Sequence, residues 1–169
     1  NGGYSTPSGK CEFYSDSMKR IGLDPVPAFI PPRESPASSP ELAARYPLQL
    51  LSPPANSFLN STFSHLESFT RAEREPFIQL NAEDARARGI TDGDTVRVWN
   101  DRGCLELPVR ISARLRPGVV SVPFGWWMHQ LRTGGVANSL TNDTLTDWGG
   151  GVALPIVAVA TNLAHDAIP

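Results

Sequence analysis

Cysteine is nearly absent from this chain of 169 residues: there are two, Cys11 and Cys104, far apart. That supply cannot form the closely spaced pairs that hold an iron–sulfur cluster or structural zinc, and no His-Glu-x-x-His run stands in for them. Cys104 opens a strand, where a small apolar residue packs well, and a bridge between the two would be unusual for a non-secreted domain. No apolar run reaches the ~18 residues of a membrane-crossing helix. Charge of neither sign dominates: the net charge is −2, with acids and bases scattered. That argues against nucleic acid and anionic membrane as partners. The length fits one ordinary domain, or a domain with an arm, able to bury about 70% of its unfolded surface.

What is present concentrates in residues 77–127. Phe77, Ile78 and Leu80 form an apolar run closed by Asn81, whose side-chain oxygen suits the free amides of a helix beginning at Ala82. Asp84 follows as a capping partner or as an anion favoured by the helix dipole. Gly89 can end the helix in the left-handed conformation, with Ile90 folding back over the last turn. Thr91-Asp92-Gly93-Asp94 reads as a turn that launches Val96 and Val98 on one face of a strand, and Asn100-Asp101-Arg102-Gly103 reverses the chain. The return strand alternates, with Leu105, Leu107, Val109 and Ile111 inward against Glu106, Pro108 and Arg110 outward. Pro108, lacking an amide hydrogen, predicts a free edge. Pro117-Gly118 turns into a third strand of Val119, Val120 and Val122, which stops at Pro123-Phe124-Gly125-Trp126-Trp127.

Upstream, Cys11, Phe13 and Tyr14 suggest a hairpin or edge strand after a Pro-Ser-Gly turn. Residues 23–40 are rich in proline and poor in packing residues, which predicts an extended, mobile connector. Ser39-Pro40-Glu41 is a helix start, and the helix has to stop before Pro47. Leu48, Leu50 and Leu51 give a strand that runs into residues 52–63, a long loop of small polar residues. Residues 66–74 read as an exposed turn or frayed helix. After Trp127, glycine and asparagine dominate. The bland reading is a loop that turns often; the functional one is that Gly134-Gly135 and Gly149-Gly150-Gly151 admit a ligand to the backbone, while Asn138, Ser139, Thr141 and Asn142 offer neutral donors and acceptors. Residues 155–161 form an apolar strand, and 162–169 a tail.

In this order the motifs resemble the C-terminal, cofactor-binding domain of the molybdopterin oxidoreductases, the dimethyl-sulfoxide-reductase superfamily. The resemblance rests on Asp84-Ala85, Gly89-Ile90, Gly93-Asp94-x-Val96, Arg102-Gly103, Pro117-Gly118-Val119 and Gly125-Trp126. It extends to Thr6-Pro7-Ser8-Gly9-Lys10-x-Glu12 upstream, to Phe58-Leu59-Asn60-Ser61-x-Phe63, and to Asn138-x-Leu140-Thr141 with the Asp143-x-Leu145-Thr146-Asp147 and triple-glycine runs after it. The resemblance implies a mainly β fold with short helices: a six-stranded double-psi β-barrel over residues 47–169, preceded over 1–46 by an extended arm and a short helix. It implies a domain that clasps a bis(molybdopterin guanine dinucleotide) cofactor carrying molybdenum or tungsten, inside an oxidoreductase whose metal ligand and any iron–sulfur cluster lie in earlier domains. Partners are then those domains and electron-transfer subunits, with no nucleic acid and no membrane insertion. Cytoplasm is favoured over a periplasm reached by twin-arginine export, and nitrate, formate, sulfur compounds and N-oxides all stay open as substrates. Asn1-Gly2-Gly3 is not a natural start, so the chain is expected to be part of a longer one. A non-redox barrel module like those at the N termini of AAA-type unfoldases explains the Gly93-Asp94 hairpin equally well, but not the other motifs together.

The resemblance places cofactor contacts in two loops that follow buried strands: Ser52, Pro53, Asn56, Ser57, Asn60 and Ser61 in the first, and Asn138, Thr141 and Asp143 in the second, with Asn81 and Asp84 close by. Lysine and arginine are nearly absent from both loops, so a pyrophosphate there would be held by amides. Of the paired tryptophans one is expected to pack and one to touch the cofactor, with Trp126 the contact candidate. His129 reads as a structural hydrogen bonder. No catalytic residue and no metal ligand is expected within this chain.

Overall fold

The computed structural model describes residues 3–133, 135–145, 151 and 157–164. They fall into two compact units, Asn1–Pro31 and Pro32–Pro169. The first contains no strand among its described residues. Cys11, Phe13 and Tyr14, expected in an edge strand, are irregular, and Phe13 is 81% exposed. Its regular element is a single-turn helix, α1 (Asp16–Arg20), which Ser15 caps by accepting from the Met18 amide at 3.3 Å. A cap followed by an acidic first turn settles the local conformation where an alternating pattern finds no strand to pair with.

The second unit is a closed barrel of six strands: β1 (Leu48–Leu51), β2 (Ile78–Leu80), β3 (Thr95–Asn100), β4 (Gly103–Ile111), β5 (Val119–Ser121) and β6 (Val157–Leu163). Their order around the barrel is β1-β5-β2-β4-β3-β6. β1 with β5 and β2 with β4 are parallel, the remaining pairs antiparallel. This is the six-stranded fold the resemblance implies. Leu105, Leu107 and Val109 point inward as their alternation predicts and meet Leu48, Leu50, Ile78, Leu80, Val96, Val98, Val120 and Val157 in one core. Burying each such side chain stabilises the barrel by about 1.5–3 kcal/mol before the entropy of ordering it is counted.

Among the described residues this unit carries three short α-helices, α2 (Pro40–Arg45), α3 (Glu67–Glu73) and α4 (Ala82–Ala87), and two single turns of 3-10 helix, Met128–Gln130 and Ala137–Leu140. α4 forms as its sequence dictates. Asn81 Oδ1 accepts from the Glu83 amide at 2.7 Å, and at the other end Gly89 has φ 63° while the Ile90 amide donates back to Ala85 at 2.9 Å. α2 starts after Ser39, yet the Ser39 hydroxyl donates to the Arg33 carbonyl at 2.7 Å instead of capping. Leu42 of α2 packs with Tyr46, Trp99 and Ala158 on the outside of the barrel.

The free edge implied by Pro108 lies along the first part of β4, since the β2 ladder begins only at Val109. Residues 131–133 and 135–140 cover it: Thr133 Oγ1 accepts from the Glu106 amide at 3.1 Å, and Ser139 lies against Gly103. Gly135, read from sequence as room for a ligand, is instead where this covering segment crosses β4: a Cβ there would run into the Cys104 carbonyl. Cys104 itself is exposed at the start of β4, not packed inside.

The proline-rich connector also departs from expectation after Pro31. Residues 32–39 make a tight turn, with the Ser35 amide donating to Pro32 O at 2.9 Å and the Ser39 amide to Ser35 O at 2.9 Å. The turn buries Glu34 to 8% exposure against the barrel wall, and the segment belongs to the barrel unit. Composition hides this because the anchor is one carboxylate, not an apolar pattern.

Candidate functional site

Strand direction sorts the loops. β1 and β5 are parallel and end together at Leu51 and Ser121, so Ser52 and Val122 leave the barrel at one end. β2 is antiparallel to β5 and begins at that end. Between these strand termini and residues 136–142 lies a groove of about 450 Å³. Ser52, Asn60 and Ser61 line one wall, Asn138, Thr141 and Asn142 the other, and Trp126 stands between. The two loops, some eighty residues apart in sequence, are thus brought together at one end.

Each wall is held by local geometry. The Ser52 hydroxyl donates to Val122 O at 2.9 Å, pinning the end of β1 to the end of β5. Leu59 and Thr62 exchange backbone hydrogen bonds of 3.1 and 2.9 Å, and the tight turn between them carries Asn60 at φ 54°, a conformation asparagine reaches more readily than most residues. Ser61 O accepts from Trp127 Nε1 at 2.8 Å. On the far wall, Thr141 Oγ1 donates to Asn138 O at 3.0 Å. Asn60 and Asn138 are exposed, and among the described residues their side-chain amides have no hydrogen-bond partner and no charged side chain lines the groove. The floor is apolar, formed by Leu107, Val122 and Phe124. Mixed donor and acceptor edges over an apolar base suit a flat heterocycle with polar rims.

Several expected contacts stand elsewhere. Pro53 and Asn56 are exposed on the first loop but outside the groove, and Asp143 is exposed just beyond its second wall. Ser57 gives its amide to the Glu73 carboxylate, an anchor to α3. Asn81 and Asp84 sit at the opposite end of the barrel: β2 runs away from the groove, and Asp84 Oδ2 accepts from the Gly118 amide before β5 at 2.7 Å. Asn81 is engaged on both sides, its Nδ2 donating to Leu115 O at 2.7 Å. These two residues therefore do not lie beside the two loops as expected, and both hold α4 in place at the other end. Their sequence signal, an amide and an acid at a helix start, is the same for a cap and for a ligand.

Trp126 is 8% exposed and meets Phe58 edge-on at 5.0 Å, so it chiefly packs while presenting one edge to the groove. Trp127 is the exposed member of the pair, with His129 edge-on at 5.7 Å and His65 at 6.2 Å. Sequence reasoning missed the parts of the groove that look like core, notably Phe124 and Leu107. It also missed Gly125, whose φ of 112° and closeness to Asn60 O admit no side chain. The abrupt Pro-Phe-Gly stop of β5 was the available signal.

A larger cavity of about 750 Å³ lies near Arg45, Tyr46, Asp101 and Cys104. Its polar groups already satisfy one another: Arg45 Nη2 and the Tyr46 hydroxyl reach Asp101 Oδ1 at 2.6 and 2.7 Å. Burial, and then the bond to Asp101, push the Tyr46 phenol above its ordinary value. The smaller groove, with unpartnered amides, is the better candidate.

Residues 48–158 match the family model described as "Molydopterin dinucleotide binding domain". The chain is 38% identical over 146 residues to a protein named "Probable oxidoreductase YoaE" from Bacillus subtilis (strain 168), covering 86% of this chain and 20% of that protein. It is 34% identical over 151 residues to "Dimethyl sulfoxide reductase DmsA" of Escherichia coli (strain K12), covering 81% of this chain and 18% of the relative. Among solved structures, acetylene hydratase from Pelobacter acetylenicus superposes with a TM-score of 0.80 at 25% identity, over 96% of this chain and 24% of that one. The chain spans about a fifth of the length of the relatives it matches.

Proposed function

Because the chain belongs to the molydopterin dinucleotide binding domain family, we propose that it is the cofactor-clasping part of a longer molybdenum- or tungsten-dependent oxidoreductase, with the groove receiving the dinucleotide. The observation that carries this reading is the pair of amides, Asn60 and Asn138, on the two loops lining the groove: among the described residues they have no partner, and the groove's lining holds no charge but includes apolar Leu107, Val122 and Phe124. The donor set fits the group: a pterin or guanine edge mixes donors and acceptors, and neutral amides and hydroxyls can meet both. When bound, the cofactor supplies the redox chemistry, and this chain supplies binding and orientation. Asn60 and Ser61 would hold it from one loop and Asn138 and Thr141 from the other, with Trp126 among the residues that line the groove. The names of the relatives support an oxidoreductase as the whole, and the proposal takes earlier domains of the same chain and electron-transfer subunits as its partners. The family match leaves the non-redox module without support.

The test is cofactor content in the full-length protein, read as molybdenum per polypeptide and as guanine nucleotide released on acid hydrolysis. Asn60→Leu and Asn138→Leu should each lower both several-fold while circular dichroism and the unfolding midpoint stay near the parent values. Asn56→Leu, outside the groove, should change neither. Full content in both groove variants overturns the assignment.

A further inference from the structure

The groove's second wall has no regular strand of its own to fix it, and the residue that ties it down comes from the proline-rich turn. Glu34 is buried, and among the described residues its carboxylate meets four donor groups. Oε1 accepts from Asn142 Nδ2 at 3.0 Å and lies 2.9 Å from Arg102 Nη1; Oε2 accepts from Arg102 Nη2 at 2.9 Å and from the Ala158 amide at 3.1 Å. Arg102 in turn donates through Nε to Leu140 O at 2.8 Å, and Asn100 Nδ2 donates to the same carbonyl at 2.8 Å. The main chain at Leu140 and the side chain of Asn142 are thus both held from outside, and Thr141, which lines the groove, is fixed between them.

We propose that Glu34 is a positioning residue for the groove: its carboxylate, with Arg102, holds residues 140–142 so that Asn138 and Thr141 face the dinucleotide. The inference rests on the groove reading given above. Only a carboxylate can accept at both oxygens. A glutamine would set its own amide hydrogens against one pair of donors. The pair that can yield is the one containing Asn142, by turning its amide over. That turn would break the 3.2 Å bond from the Thr144 amide to Asn142 Oδ1, which shapes the wall. Burial alone would raise the Glu34 pKa, but the hydrogen bonds from Arg102, Asn142 and Ala158 outweigh it and hold the carboxyl below the usual glutamate value, so the group is charged when the wall is formed.

The experiment compares Glu34→Gln with the parent in the full-length protein, by amide hydrogen exchange and by cofactor content. Exchange across residues 138–144 should speed up tenfold or more while Val96, Val98 and Leu107 exchange as before, and bound molybdenum and released guanine nucleotide should fall several-fold. The double variant Glu34→Gln/Asn142→Asp restores an acceptor facing the new amide and should recover slow exchange across residues 138–144 in part, which a general loss of stability would not allow. Unchanged exchange in residues 138–144, or equal acceleration through β3 and β4, overturns the proposal. Loosening with full cofactor content overturns it too when Asn138→Leu does lower content. When Asn138→Leu also leaves content full, the groove reading itself has failed.

Discussion

Asp84 Oδ2 accepts a hydrogen bond from the Gly118 amide at 2.7 Å, fastening helix α4 to the turn that launches β5. The side chain is 14% exposed, and its other oxygen stands 3.6 Å from Arg88 Nη1. Asp84→Ala leaves the Gly118 amide without an acceptor in a poorly hydrated place, which costs about 1–3 kcal/mol. We expect a lower denaturation midpoint and, because this end of the barrel is remote from the groove, unchanged cofactor content. A variant as stable as the parent but depleted of cofactor would put Asp84 back in the binding site.

Gly93 has φ 88° and donates its amide to Val109 O at 2.9 Å, so it holds a left-handed position in a turn that is bonded to β4. A β-branched residue is strained there. Gly93→Val should lower stability by about 1–3 kcal/mol in urea titrations. An unchanged midpoint would show that the turn can move to another conformation at no cost.

Gly125 combines positive φ with a close approach to Asn60 O, where a Cβ would also press on the Phe58 ring. Gly125→Ala should therefore displace the turn that carries Asn60 and Ser61. The expected readings are a change in the near-ultraviolet circular dichroism of the Trp126–Phe58 pair, a stability loss of about 1–3 kcal/mol, and reduced cofactor content. Retention of the parent spectrum would mean that the turn absorbs a methyl group without shifting.

The barrel was legible because its strands are carried by local patterns: alternation in β4, turn residues before β3, a cap and a left-handed glycine around α4. Each of those works within a dozen residues. The pairing of the two groove loops followed from both leaving buried strands with neutral side chains. What escaped was whatever depends on one residue meeting a distant partner. Asn81 and Asp84 look the same in sequence whether they face a ligand or Leu115 and Gly118. Glu34 sits in a stretch whose prolines predict mobility, and its burial comes from Arg102, Asn142 and Ala158. Of the triple-glycine run, Gly149 and Gly150 lie outside the described residues, as do Gly134, Thr146 and Asp147.

Glu34 also gives the fold a pH dependence with a definite sign. Its carboxyl is held below the ordinary glutamate value of 4.5, with burial opposing the shift and the bonds from Arg102, Asn142 and Ala158 prevailing. A depressed folded-state pKa stabilises the native state once pH is above the unfolded value, and that stability drains away as pH falls below it and through the folded pKa. The parent should thus hold its urea midpoint from pH 7 to about 5 and then lose stability as the solution becomes more acidic. Glu34→Gln cannot titrate at this position. It should be less stable than the parent at pH 7 by about 1.5–3 kcal/mol, the range for hydrogen bonds to a charged group. The gap should close as the parent is acidified below the ordinary glutamate value. Asp101, whose pKa is lowered chiefly by the Tyr46 hydroxyl, remains in both proteins and so cancels from the comparison. A gap between parent and variant that stays constant from pH 7 down to 3 would show that the charge on Glu34 contributes nothing, and that its side chain is held by shape alone.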